Sequence, residues 1–316
     1  MNIKIAVTDY LKLARFDHWI KQLFILPGAA FAYFLIKPEF NVTAVLFALI
    51  STGFTASANY VINEFLDAAY DKFHPEKSLR TAVKRDLNKY IVLIEYAAFA
   101  SAGILTAAFC INKEVMFLQL ALLFMGLVYN VKPFRSKDIA YIDVLSESFN
   151  NAIRLLIGWF ALASNFLPPA SVIVSYWFGG AFLMAMKRFA EYRFLLQTDN
   201  GKEKAVLYRK SFRHYNEKSL LTTSFFYALI SIFFCGIFLV KYRIELIFAM
   251  PFICGLFCVY FHMSLSDGQS AYKPEKLMRE KFLVIYLILL LSFIVLLMIV
   301  DIPLAEKMLE TTFIGV

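Results

Sequence analysis

Asn59, Asn63, Asp67 and Asp71 recur at intervals of four residues. On an α-helix they form one polar stripe that drifts only slowly around the axis. The run upstream, from about Val42 to Val61, is apolar enough to cross a bilayer. Carboxylates at the mouth of such a helix are costly unless something neutralises them. Oxygens on Asn63, Asp67 and Asp71 suit a hard cation such as Mg2+, which keeps several waters and bridges substrate phosphates. Asn59 and Glu64 are further candidates, Glu64 standing one position off the main stripe. The other account is a helix end whose acids pair with Lys72, Lys77 and Arg80 at the membrane surface. His74, followed by Pro75, fits the turn that ends the helix, with a ligand role as the alternative.

A second group runs through Tyr129, Lys132, Arg135, Lys137 and Asp138 to Asp143, Glu147, Asn150, Asn151 and Arg154. Asp143, Glu147, Asn150 and Arg154 share one helix face. Acid, acid, amide and base in an apolar span are expensive outside a hydrated cavity. They predict a second set of metal or substrate ligands facing the first across a chamber, or else an internally paired stripe. A third group is Lys187-Arg188-Phe189-Ala190-Glu191. Lys187 and Glu191 lie one turn apart and can pair, while adjacent lysine and arginine at a membrane mouth suit an anionic phosphate. The basic runs Arg209–Tyr215 and Lys273–Lys281 need no ligand beyond topology. His18, His214 and His262 lack metal-ligand spacing, and Cys110, Cys235, Cys254 and Cys258 fall in apolar segments where packing explains them.

These groups must be carried by membrane helices. Of 316 residues, 60% are hydrophobic and 34 are phenylalanine, beyond what a soluble domain carries. Nine apolar segments are predicted, at about 22–37, 43–66, 90–111, 115–131, 140–163, 171–195, 219–240, 244–263 and 282–300. The fold class is therefore an all-α integral membrane protein, a single domain over 1–316. Residues 1–21 mix charge with apolar positions as an interfacial helix does and an export signal does not. With nine spans, segments 1–21, 67–89, 132–137, 187–218 and 273–281 lie on one side and hold 26 of the 32 basic residues. That side is expected to be cytoplasmic, in the inner membrane of the cell, with the charged groups facing it. Membrane lipids, positive-inside bias and phosphorylated ligands account for the +8 net charge without nucleic acid.

Together these residues resemble the UbiA superfamily of intramembrane prenyltransferases, over nearly the whole chain. The first motif of that family, NDxxDxxxD, stands here as Asn63-Glu64-x-x-Asp67-x-x-x-Asp71. The likeness is greatest to the branch acting on polyprenyl phosphates, the decaprenyl-phosphate phosphoribosyltransferases. Arg15–Gln22 looks like that branch's RPxQWxKN opening, and His74-Pro75-Glu76-Lys77 followed by Arg80 continues the first motif in its manner. Tyr129–Lys132 with Asp143, Val144 and Arg154 looks like its second region, and Lys187–Glu191 like its KRxAE. Glu64 replaces an aspartate, Asp138 and Asp143 do not form a clean DxxxD, and His18 and Gln22 replace glutamine and asparagine.

The resemblance implies a bundle around a central polar chamber open to the cytoplasm. It implies Mg2+-dependent transfer of 5-phosphoribosyl from phosphoribosyl diphosphate to a polyprenyl phosphate such as decaprenyl phosphate. Asn63, Asp67 and Asp71, with Glu64 beside them, would hold the metal. Asp143 would stabilise positive charge at the ribose C1. Lys21, Arg80, Lys187 and Arg188 would position phosphates, within a binding surface that includes Asn59, His74, Lys77, Tyr129, Lys132, Arg154 and Glu191. The alternatives are prenyl transfer from an isoprenyl diphosphate to an aromatic or lipid acceptor, and non-enzymatic transport of an anion or lipid phosphate.

Overall fold

The computed structural model describes residues 7–266 and 280–303, and all its regular elements are helical. Most of the basic run Lys273–Lys281 and the first six residues of the expected interfacial segment lie outside the described residues. The chain enters through a broken helical segment: a short α-helix at Val7–Leu11, 3-10 turns at Lys12–Ala14 and Phe16–Ile25, then α1 (Leu26–Ile36). Arg15, with φ of 48°, makes the break. After it come α2 (Val42–Asp71), α3 (Lys89–Cys110), α4 (Lys113–Asn130), α5 (Ile142–Leu162) and α6 (Ala170–Leu196). The bundle is completed by α7 (Glu217–Tyr242), α8 (Met250–Leu265) and α9 (Lys281–Ile299).

Asparagine side chains open four of these helices by accepting an otherwise unpaired backbone N–H. Asn41 takes that of Ala44 at 2.9 Å, Asn112 that of Val115 at 2.8 Å, and Asn88 that of Tyr90 at 2.8 Å. Asn216 closes a full capping box with Ser219.

Among the described residues, eight helical segments are long and apolar enough to cross a membrane. They match eight of the nine expected spans. The remaining one, α5, forms a helix of 21 residues at the expected place. Asp143, Glu147, Asn150, Asn151 and Arg154 make it too polar to qualify by composition. Its apolar side packs instead into the interior, with Ile153, Leu155, Ile157 and Trp159 all nearly fully buried. The outward surface of the bundle is apolar, as at Phe109, Phe117, Phe124, Phe225 and Phe233, which suits contact with lipid tails.

Close approach of α1 to α5 rests on two glycines that meet each other's backbone. A Cβ at Gly28 would strike the Leu155 carbonyl, and one at Gly158 would strike the Ile25 carbonyl. Small residues permit this backbone-to-backbone packing where no hydrophobic effect drives helices together. The result anchors the polar helix α5 in the middle of the bundle, against α1, α4 and α6. The C-terminal ends of α2, α4 and α6 and the start of α5 then converge at one end of the molecule. The charged groups singled out in the sequence are carried there.

Candidate active site

A cavity of about 300 Å³ opens at this end. One wall is the last three turns of α2, with Asn63, Asp67 and Asp71 on the cavity side. Each carboxylate already meets a cation. Asp67 Oδ1 lies 2.5 Å from Lys137 Nζ and 2.9 Å from Arg135, and Asp71 Oδ2 lies 2.5 Å from Arg80. Asn63 donates to Asn130 Oδ1 at 2.5 Å and to Asp67 Oδ2 at 3.2 Å, fixing α2 to the end of α4. Arg135 reaches inward because its own backbone is left-handed, with φ of 30°, and its guanidinium lies over the Tyr70 ring at 4.7 Å. Burial pushes the Lys137 ammonium down to about 8, against the pull of Asp67.

The turn after α2 is built by His74. Its Nδ1 accepts the backbone N–H groups of Glu76 at 3.2 Å and Lys77 at 3.3 Å. Two donors on Nδ1 leave the ring proton on Nε2, which faces Glu191 Oε1 at 3.8 Å. The same carboxylate oxygen binds Lys77 Nζ at 2.5 Å and accepts the Tyr208 hydroxyl at 3.0 Å. Lys77 also donates to Tyr208. The turn is thereby bolted to α6 and to the short helix Gly201–Tyr208. Burial holds Lys77 below the ordinary lysine range, opposed by Glu191.

The opposite wall comes from α5 and α6. Arg188, only 1% exposed, meets three carboxylates: Glu147, Asp143 at 3.4 Å and Glu191 at 3.6 Å. It also donates to Tyr129, whose hydroxyl donates to Glu147 at 2.8 Å. Lys187 stands 3.5 Å from Glu147. Counting the entry segment, Arg15, Lys21, Lys77, Arg80, Lys187, Arg188 and Arg209 line the cavity against Asp67, Asp71, Glu76 and Glu147. Seven cations against four carboxylates make a chamber suited to a polyanion.

A smaller pocket of about 140 Å³ continues inward from it, sharing Tyr60, Asn63, Tyr129 and Glu147. Asn59 and Arg154 belong to this inner pocket. Asn59 donates to the Leu122 carbonyl at 2.9 Å, and Arg154 to Gln22 at 2.9 Å. A Cβ on Gly126 would collide with the Asn59 side chain, so this glycine keeps the amide in place.

The structure thus brings Lys21, Asn63, Asp67, Asp71, His74, Lys77, Arg80, Tyr129, Lys187 and Arg188 onto one cavity. Four of the expected residues are placed off the cavity. Asp143 does not face Asp67 and Asp71 across the chamber. It is fully buried behind the wall, accepting Tyr215 at 2.6 Å and Ser211 at 3.0 Å, and Glu147 one turn later takes the wall position. Glu64 turns away to Arg15 Nε at 2.8 Å and is 4% exposed, so it does not join the metal candidates. Lys132 is exposed and off the cavity, because the turn after α4 directs Arg135 and Lys137 inward instead. Glu191 stands behind the wall as the partner of Lys77. Sequence reasoning missed Arg209 and Tyr208, since topology alone accounts for a basic loop. No local pattern distinguishes Arg209 from the other bases around it.

Among the described residues, no group of three or more His, Cys, Asp or Glu side chains is arranged to hold a metal by itself. Asn63, Asp67 and Asp71 nevertheless present hard oxygens to the cavity. Mg2+ characteristically takes one or two carboxylates and completes its shell with water and substrate phosphates. This donor set fits an ion that arrives with an anionic substrate, with Arg135, Lys137 and Arg80 balancing the carboxylates otherwise.

The family model described as the UbiA prenyltransferase family matches residues 24–293. The chain belongs to that family. Among curated relatives, a decaprenyl-phosphate phosphoribosyltransferase of Mycolicibacterium smegmatis is 28% identical over 205 residues, covering 60% of this chain and 58% of the relative. One of Mycobacterium tuberculosis is 25% identical over 196 residues, covering 58% of this chain and 60% of the relative. Both matches span less than two thirds of the relatives' own length. Among solved structures, a UbiA homolog from Archaeoglobus fulgidus bound to DMAPP and Mg2+ has a TM-score of 0.69 at 20% identity. It covers 92% of this chain and 100% of that one. The same homolog bound to GPP and Mg2+ gives 0.69 at 21%. These structures share the UbiA helical fold with this chain.

Proposed function

We propose that this UbiA-family protein transfers a 5-phosphoribosyl group from phosphoribosyl diphosphate to a polyprenyl phosphate. The observation that carries the reading is the excess of fixed cations on the cavity wall. A phosphomonoester adds about two negative charges beyond those of a diphosphate, and Lys77, Lys187, Arg188 and Arg209 outnumber the carboxylates Asp143, Glu147 and Glu191 that pair with them. The names of the relatives from the two mycobacteria support the same donor and acceptor. All nine helical segments, α5 included, span the membrane in this proposal, as one domain. The cavity faces the cytoplasm, where a soluble donor is available, since the basic loops lie at that end.

In the reaction, the bond from ribose C1 to the diphosphate oxygen breaks and a bond from C1 to an oxygen of the lipid phosphate forms. Asn63, Asp67 and Asp71 would hold Mg2+, which when bound would supply positive charge against the leaving diphosphate. Arg80 and Lys77 stand beside that site to orient the diphosphate. The acceptor phosphate is ionised already and needs no general base. Glu147, on the wall facing α2, is the carboxylate able to stabilise positive charge growing at C1. Asp143 is too deeply enclosed for that role. The inner pocket, with its amides and Arg154, takes uncharged hydroxyl-bearing parts of the substrate.

The test is transfer by the purified protein in detergent, with labelled phosphoribosyl diphosphate, Mg2+ and polyprenyl phosphate, run beside geranyl diphosphate with aromatic acceptors. Label appearing in lipid, and lost on adding a chelator, is the expected result. Prenyl transfer alone would overturn the proposal in favour of the second reading, an isoprenyl donor on the same α2 site.

A further inference from the structure

Arg209 is the least satisfied guanidinium in the cavity. It has five N–H donors, yet its contacts among the described residues are all long. It donates to Tyr129 at 3.3 Å and stands 3.7 Å from Asp143 Oδ2, and its buried Nε has no hydrogen-bond acceptor. Native proteins rarely leave such donors unmatched, because a buried unpaired donor forfeits its hydration. The buried Nε of Arg188 also lacks an acceptor, but the neighbouring cations have short contacts to carboxylates that Arg209 has not. Arg80 and Lys77 each hold a carboxylate oxygen at 2.5 Å, and Arg188 is enclosed among three acids.

The surroundings keep Arg209 in this state. Asp143 cannot satisfy it, since that carboxylate already accepts from Ser211 and Tyr215 and is shared with Arg188. Ser211 and Tyr215 lie on the same loop as Arg209, so Asp143 anchors the loop rather than binding a ligand. The Tyr215 hydroxyl also meets the backbone N–H of Tyr141 at 2.5 Å, fixing the loop to the start of α5. Arg209 is therefore held by its loop at a corner of the cavity that it shares with Arg188 and Tyr129.

We propose that Arg209, positioned by Asp143 and supported by Lys187, is the phosphomonoester subsite of the cavity, separate from the diphosphate site on α2. The assignment rests on the donor reading above. A phosphomonoester presents three acceptor oxygens, matching the planar fork of an arginine with N–H groups to spare. Two sources offer this chemistry, the 5-phosphate of the soluble donor and the phosphate of the lipid acceptor. Either would complete the hydrogen bonds that Arg209 now lacks. Asp143 enters as a positioning residue, acting through Arg209.

The test is calorimetric binding to the full-length protein in detergent. The probes are phosphoribosyl diphosphate, ribose 5-phosphate, a short isoprenyl monophosphate, and inorganic diphosphate with Mg2+. In Arg209→Gln, affinity for one of the two monophosphates, and for phosphoribosyl diphosphate where that monophosphate is ribose 5-phosphate, should fall by about tenfold or more, as for a lost hydrogen bond to a charged group. Mg2+-diphosphate binding should be unchanged. The monophosphate affected identifies the source. Arg209→Lys should recover part of the loss, and it supplies the same comparison should the glutamine variant fail to fold. Asp143→Asn should raise KM for the substrate so identified far more than it lowers kcat. Equal weakening of every probe, or no weakening of any, would overturn the subsite while leaving the donor reading intact. Failure of the wild type to bind phosphoribosyl diphosphate would overturn the donor reading itself.

Discussion

Replacing Glu191 with glutamine removes one charge and almost no volume, yet it should alter both stability and the pH dependence of binding. Glu191 is 1% exposed and meets Lys77 at 2.5 Å, Tyr208 at 3.0 Å, Arg188 at 3.6 Å and His74 at 3.8 Å. Breaking a buried pair by removing one partner typically destabilises by about 3–5 kcal/mol. Glutamine retains hydrogen-bonding capacity toward Tyr208 and Lys77, so a loss of about 3 kcal/mol is expected at neutral pH, read by thermal or chemical denaturation in detergent.

The pH dependence follows from Lys77, whose ammonium burial already holds below its ordinary range while Glu191 opposes. A depressed lysine carries its charge below the folded-state pKa and loses it as pH rises through that value. Donor binding should therefore weaken on the alkaline side, beginning below the lysine reference of about 10.4. Removing the opposite charge of Glu191 lowers the Lys77 pKa further, so the alkaline limb should shift to lower pH in Glu191→Gln. Stability should move oppositely. Between the depressed pKa and the unfolded value the unfolded chain binds more protons, so stability rises with pH. The variant should regain part of its lost stability as Lys77 deprotonates. Adding Lys77→Met should restore stability at neutral pH, the signature of a coupled pair. An alkaline limb that stays in place, with additive effects in the double variant, would refute the dependence of Lys77 on Glu191.

Three further outcomes are expected. Asp67→Asn and Asp71→Asn should each abolish transfer, measured as labelled lipid product, while the protein still inserts and elutes as a folded species; activity retained in both would mean the metal site lies elsewhere. Gly28→Ala should destabilise by at least about 1–3 kcal/mol in a denaturation series, because its Cβ meets the Leu155 backbone. Gly236→Ala, where a Cβ meets nothing within 4 Å, should be neutral or stabilising by about 0.5–1 kcal/mol.

The helical fold and the α2 half of the site were legible because each depends on local periodicity. Four-residue spacing put Asn63, Asp67 and Asp71 on one face wherever the helix lay, and long apolar runs fixed eight spans. The second half was less legible because its geometry is set by loops. Asp143 and Glu147 share a face, and which of them reaches the cavity depends on the Arg209–Tyr215 loop closing over Asp143. Lys132, Arg135 and Lys137 are alike in composition, and a left-handed residue at Arg135 decides which two turn inward. Arg209 is one base among several in a basic loop, distinguishable only by the contacts it fails to make. The entry segment reads as an interfacial helix over 1–21 followed by a span from about residue 22, and its described part is helical from Val7 on both sides of the break at Arg15.

The length of α2 sets where in the membrane this chemistry takes place. Thirty residues at about 1.5 Å each make a rod of about 45 Å, against a hydrocarbon layer of about 30 Å. Its first turns, from Val42, are apolar and belong in the bilayer, so the excess projects from the other end, the stretch that carries Asn63, Asp67 and Asp71. The carboxylates then stand level with lipid headgroups. In the proposed reaction a lipid phosphate would approach by sliding within its own leaflet, its tail never leaving the oil, while the soluble donor descends from the water. Supply of the lipid would then be a problem of diffusion in two dimensions, set by its surface density rather than its concentration in the cell.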